Sequence, residues 1–102
     1  MVSVTAIIQA RMGSTRFPGK SLHPIAGIPL LEHIIIRLQQ VSEIDSIILA
    51  IPDNDTNAPL LEFAHRLHVP VVQGSEEDVL GRFIKAGESV QAEHIIRVCG
   101  DN

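Results

Sequence analysis

The strongest constraint on this chain is an alternation. Short, almost wholly apolar runs rich in Val and Ile are separated by stretches whose apolar residues recur every three or four positions. The runs "VTAIIQ" (4–9) and "SIILAI" (46–51) have the pattern of strands buried on both faces. Between them, "PLLEHIIIRLQQV" (29–41) predicts a helix with Pro29 in its first turn and Leu30, Ile34, Leu38 and Val41 near one face. A second helix is expected over roughly 57–68, with Leu60, Leu61, Ala64 and Leu67 as its inner stripe. A short strand near 70–73 follows, then a third helix from near Ser75, then "HIIRVC" (94–99) as a fourth strand. Crossovers of this length give parallel strands, right-handed connections and helices on both faces of the sheet. The expected class is therefore α/β, Rossmann-like, with strand order 3-2-1-4.

Length and composition bound the rest. A chain of 102 residues, 45% hydrophobic, is sized for one globular domain with a real core. Its one cysteine, Cys99, cannot form an internal disulfide or a multi-cysteine metal cluster, which fits a reducing compartment; it is expected to be a buried strand residue. The opening "MVSVTAIIQA" lacks the basic flank of a signal peptide, and no apolar run approaches membrane-spanning length. A cytoplasmic protein without a membrane partner is expected. No repeat, low-complexity tract or linker interrupts the chain, and residues 1–102 read as one unit.

The charge is unevenly spread. The formal net charge is −4, yet no Asp or Glu precedes Glu32, while Arg11, Arg16 and Lys20 lie within ten residues of one another. An acidic protein has no long basic stripe for a nucleic acid, but such a local site suits a small polyanion. The loop "ARMGSTRFPGKS" (10–21) leaves the carboxyl end of the first strand, where open parallel sheets bind ligands. It is not a Walker A loop: five residues separate Gly13 from Gly19 rather than four, and Pro24, Gly27 and Pro29 prevent a helix from starting at the lysine. G-x-G-x-x-G is absent. The loop must hold phosphate mainly through side chains, with the N–H groups around Gly13. A merely solvated basic loop is the alternative.

The stretch "IIQARMGSTRFPGKSLHPIAGIPLLEHIIIRL" (7–38) resembles the opening of the sugar cytidylyltransferases, the group that includes CMP-Kdo and CMP-sialic acid synthetases. Together with "GSEEDVLGRF" (74–83) and "RVCGDN" (97–102), in that order, it is most similar to the branch named after spore-coat polysaccharide biosynthesis. The resemblance implies transfer of CMP from CTP to a sugar acid or related sugar, with magnesium as cofactor and release of pyrophosphate. It also implies a nucleotide-diphospho-sugar transferase (GT-A-like) fold, here incomplete, with residues 1–102 as its N-terminal nucleotide-binding part. Family members are longer, and the part beyond this chain supplies the sugar site, a second metal-binding acid and much of the dimer contact. The chain alone is expected to be inactive and to self-associate or form a homodimer. A CTP-binding module without turnover and a non-binding structural remnant are the alternatives.

Carried over by the resemblance, the phosphate-binding positions are Arg11, Gly13, Ser14, Arg16 and Lys20, with Arg11 and Lys20 neutralising charge during transfer. Ala10 and Arg11 would approach the base through their backbone, for which Ala10 is suitably small. In "GSEEDVLGRF", Gln73 just before it is a candidate for reading the cytosine edge and Arg82 for contacting phosphate or ribose. The same segment reads as a helix start with Ser75 as N-cap and Asp78 in a capping-box position, and Arg82 reads equally as a surface helix residue. Asp101 is the candidate magnesium ligand, although the branch usually continues "GD" with Cys-Pro where this chain has Asn102. The five histidines form no ligand cluster, and His65 and His68 are expected at the surface.

Overall fold

The computed structural model describes residues 3–12, 22–75, 77–90 and 93–100. Four strands form one parallel sheet: β1 (Val4–Gln9), β4 (Ser46–Pro52), β5 (Val71–Gly74) and β6 (His94–Cys99). Their order is β5-β4-β1-β6, the arrangement expected from the sequence. β1 is central, pairing Ile7 with Ile48 on one side and with Arg97 on the other. The connection from β5 returns across the sheet to β6, so strand order reverses at β1.

Alternation of side chains along the strands divides the core into two layers. Ile8, Ala10, Leu49 and Ile51 face α1 (Leu30–Gln39) and α2 (Ala58–Leu67), meeting Leu31, Ile35, Leu60, Phe63 and Ala64. Ile7, Ile48 and Ala50 face α3 (Val79–Val90), meeting Ala86 and the half-buried Phe83. The central strands therefore read as continuous apolar runs because both faces are covered.

Helix boundaries and stripes differ from expectation in instructive ways. Pro29 precedes α1 as its N-cap and pairs with Pro24 in a small antiparallel hairpin of β2 (Pro24–Ile25) and β3 (Ile28–Pro29). Ala26 and Gly27 turn that hairpin with positive φ of 55° and 81°, the backbone twist that a two-residue connection favours. The hairpin is tied to the helix by Leu30 N–H on the His23 carbonyl (2.9 Å) and by His33 Nε2 donating to the Ile25 carbonyl (2.7 Å). With the helix entry set there, Leu31 and Ile35 are the buried residues of α1 and Val41 is exposed. In α2 the stripe is Leu60, Phe63 and Ala64, while Leu61 is 36% exposed; spacing of three and four from Leu60 selects Phe63 and Ala64 and turns Leu61 outward.

α3 starts at Val79, four residues past Ser75, which overturns Ser75 as its N-cap. Asp78 takes that role instead, its Oδ1 accepting Gly81 N–H at 2.8 Å, the usual geometry of an acidic cap. β6 is an edge strand with Ile95 and Ile96 exposed. Cys99 is exposed as well, not buried as expected, because a strand at the edge lacks the cover that β1 and β4 enjoy. His65 and His68 lie on the surface as expected, and Arg37 is exposed on α1.

We predict that Phe63→Ala destabilises the fold by about 3–5 kcal/mol, whereas Leu61→Ala costs under about 1 kcal/mol. Urea denaturation of both variants checks it; equal losses would contradict the assignment of the stripe.

Candidate nucleotide site at the carboxyl edge

β1 delivers the start of the basic loop to the carboxyl edge of the sheet. Ala10 is buried, and its N–H donates to the Ala50 carbonyl at 3.2 Å. Arg11 follows, exposed. Met12 is fixed again: its N–H donates to Asn57 Oδ1 at 2.9 Å, and its side chain packs against the layer that α1 and α2 cover. Arg11 therefore presents its guanidinium to solvent from backbone held on either side. Gly13, Ser14, Arg16 and Lys20 lie outside the described residues.

The end of β6 closes on the same place. Gly100 N–H donates to the Gln9 carbonyl at 2.9 Å. A Cβ on Gly100 would stand 2.8 Å from Ala10 Cβ and 3.0 Å from that carbonyl oxygen. Small residues at both positions let the two strand ends touch. Asp101, the next residue in sequence, lies outside the described residues. Among the described residues no group of three or more His, Cys, Asp or Glu could hold a metal ion.

On the α3 face, Arg82 is 3% exposed and not the surface residue that helical spacing allowed. Its side chain crosses Gly74, where a Cβ would come within 2.7 Å of Arg82 Cγ. Beyond that crossing, Nη1 donates to the Ser75 carbonyl at 2.9 Å and Nη2 reaches Gln9 Oε1 at a longer 3.5 Å. Gln9 Nε2 in turn approaches the Val79 carbonyl at 3.3 Å. A buried guanidinium must be surrounded by acceptors, and here they join the ends of β1 and β5 to the start of α3. Beside this cluster a cavity of about 270 Å³ is lined by Gln9, Val79, Leu80, Phe83 and Arg97.

Gln73 stands at the carboxyl end of β5, paired with Ile51. It is separated from β1 by the whole width of β4, and its carbonyl accepts Lys85 Nζ at 2.8 Å. Among the described candidates, the structure thus brings Ala10 and Arg11 together, sets Arg82 behind them through Gln9, and leaves Gln73 farther along the same edge. A hollow of about 420 Å³ lies at the opposite, amino end of the sheet, beside Asp45, Ser46 and Pro70. It lies at the other end of β1 from Ala10 and Arg11.

Asn57 and Gln9 were not singled out by sequence reasoning. The available signal was position: "DNDTN" (53–57) follows β4 as the basic loop follows β1, so both segments leave the same edge of a parallel sheet.

A family model described as cytidylyltransferase matches residues 5–102. The chain belongs to the cytidylyltransferase family. Spore coat polysaccharide biosynthesis protein SpsF of Bacillus subtilis (strain 168) is 41% identical over all of this chain and 44% of its own length. A cytidylyltransferase structure from Leptospira borgpetersenii serovar Hardjo-bovis superposes with a TM-score of 0.90 at 30% identity, covering 99% of this chain and 42% of that one. A CMP:2-keto-3-deoxy-manno-octonic acid synthetase complexed with CTP superposes at 0.79 with 25% identity, over 96% of this chain and 40% of that one. This cytidylyltransferase chain spans about two fifths of the length of these relatives. The expected α/β fold of nucleotide-diphospho-sugar transferase type is thereby shown, as is similarity to the spore-coat branch. Among the described residues, no helix is long and apolar enough to cross a membrane.

We predict that Gly100→Ala lowers stability by about 1–3 kcal/mol, because the new methyl meets backbone and a side chain with no further rotamer. Gly87→Ala is the control: its Cβ would crowd only the end of Ile95, at 2.6 Å from Cδ1, with Ile7 Cδ1 at an ordinary 4.0 Å. That side chain can turn away, and alanine in a helix regains about 0.5–1 kcal/mol. Thermal melts that ranked the two the other way would refute the close strand-end packing.

Proposed function

We propose that this chain is the nucleotide-binding part of an enzyme that transfers CMP from CTP to a sugar acid or related sugar in surface polysaccharide biosynthesis. In the reaction an acceptor oxygen bonds to the α-phosphorus, the bond from that phosphorus to the bridging oxygen breaks, and pyrophosphate leaves. The observation that carries the reading is Arg11, exposed at the carboxyl end of the central strand with its neighbours' amides tied down. That edge, where strand order reverses, is where open parallel sheets bind ligands. SpsF is named for polysaccharide biosynthesis and the superposing synthetase was solved with CTP; we extend both properties to this chain.

In this proposal Arg11 and Lys20 neutralise the triphosphate as charge moves to the leaving group, with Gly13, Ser14 and Arg16 completing the cradle. Ala10 lets the base approach the backbone and Gln73 reads the cytosine edge. Arg82 supports the site from behind through Gln9, its guanidinium being already engaged by protein acceptors. Magnesium, held by Asp101 and triphosphate oxygens, would supply further charge neutralisation. We place the reaction in the cytoplasm, in keeping with a free, exposed Cys99.

Two expectations follow for residues 1–102. Arg11→Ala weakens CTP binding about ten- to a hundredfold and Arg37→Ala leaves it unchanged, since a charge-assisted phosphate contact is lost only in the first. Calorimetric titration with CTP and magnesium decides it, and equal losses would mean diffuse attraction without a site. The second is that this chain alone releases no pyrophosphate from CTP with a panel of sugar acids, because orienting two reactants supplies roughly 7–11 kcal/mol of the barrier reduction. We also propose self-association through the uncovered β6 edge, whose exposed Ile95 and Ile96 invite pairing. Sedimentation that found a monomer at every concentration would remove it.

A further inference from the structure

Asn57 is fully buried, at 0% exposure, in the last position of a short 3-10 turn (Asp55–Asn57) between β4 and α2. A buried carboxamide is costly unless both of its ends are matched. Here they are. Nδ2 donates to Asn54 Oδ1 at 2.6 Å, and Oδ1 accepts Met12 N–H at 2.9 Å. The orientation has no freedom, because a backbone N–H can only donate and must therefore face the oxygen. The turn is also closed through its backbone, Asn57 N–H donating to the Asn54 carbonyl at 3.1 Å.

The register of these bonds gives the carboxamide its meaning. Ala10 N–H donates to the Ala50 carbonyl on β4, and two residues later Met12 N–H donates to Asn57. Donation from alternate residues to one side is the pattern of a parallel ladder. The side chain of Asn57 thus substitutes for a backbone carbonyl after β4 has turned away, extending by one step the hold on β1. The residue between the two tied amides is Arg11.

We propose that Asn57 is a positioning residue that fixes the backbone of Arg11 for an anionic nucleotide. This rests on the CTP reading above and adds to it a residue outside the basic loop. Asn57 touches no substrate in this role; it acts through Met12. Freeing one backbone position restores the conformational freedom of that residue, which corresponds to a loss of about five- to thirtyfold in affinity.

The test combines amide hydrogen exchange with CTP titration on the 102-residue chain. Asn57→Leu keeps the volume and removes the acceptor. It is expected to speed exchange at Met12 about tenfold or more, to leave Leu49 in central β4 unchanged, and to weaken CTP binding within the range given. Asn57→Asp keeps an oxygen toward Met12, and Asn54 can turn its amide to donate to the new carboxylate, so Met12 protection is expected to return. Asn54→Ala, at a half-buried site, loosens the orientation of Asn57 without altering the buried residue and should give a smaller effect in the same direction. Exchange rising equally at Met12 and Leu49, with CTP affinity unchanged, would assign Asn57 a purely structural role and overturn the proposal. So would a freed Met12 amide with no loss of CTP affinity. Wild-type protein with a protected Met12 and no affinity for CTP would instead sink the nucleotide reading, while Met12 exchange in the variants would still decide whether Asn57 is the tether.

Discussion

Everything in this molecule is arranged around the double pairing of β1. The strand is hydrogen-bonded to β4 on one side and β6 on the other and is covered on both faces, so Ile7 and Ile8 have no exposed surface. Burying two such side chains is favourable by about 1.5–3 kcal/mol each, but the geometric consequence matters more. A strand locked on four sides has a single register, and the loop that leaves it starts from a fixed point. Arg11 inherits that precision although it is exposed.

The strand order explains why the proposed site is assigned to this end. The chain builds outward from β1 to β4 and β5, then crosses back by α3 to place β6 on the other side. Connections on the two flanks lie on opposite faces, with α1 and α2 on one and α3 on the other, so they diverge at β1, the position at which open parallel sheets generally bind ligands. At this strand end Gly100 and Ala10 meet without large side chains. Behind it Arg82 joins β1, β5 and the start of α3, and in front Asn57 extends the β1 ladder. Each of these contacts acts on the ends of strands.

How much of this could be read from residues depends on the range of the interaction concerned. The strands and their parallel order were legible because they rest on local patterning and on a general preference for right-handed crossovers. The stripe of α2 was misread at Leu61 because two adjacent leucines leave the phase of a helix open until its packing partner is known. The start of α3 was misread for a different reason. Ser75 and Asp78 have capping-box spacing, yet the Ser75 carbonyl is drawn to Arg82, a residue seven positions on whose path exists only because Gly74 lacks a Cβ. That is a tertiary fact with no local trace. Asn57 was hidden by its neighbours, since an Asn in "DNDTN" looks like any turn former, and its partner lies 45 residues away.

The two buried polar residues at this edge solve one problem in different ways. A sheet whose ladder ends leaves strand-end amides and carbonyls with no neighbour, and such groups are costly when buried. Asn57 answers with an acceptor for an N–H, and Arg82 answers with donors for a carbonyl and a carboxamide. A neutral amide suffices in front, where one donor must be met and added charge would compete with the field of the basic loop. Behind the strand a guanidinium reaches farther and serves two acceptors at once through the fixed geometry of its planar fork. In the proposed nucleotide reading, the buried positive charge of Arg82 adds to the exposed charge of Arg11 at the same edge.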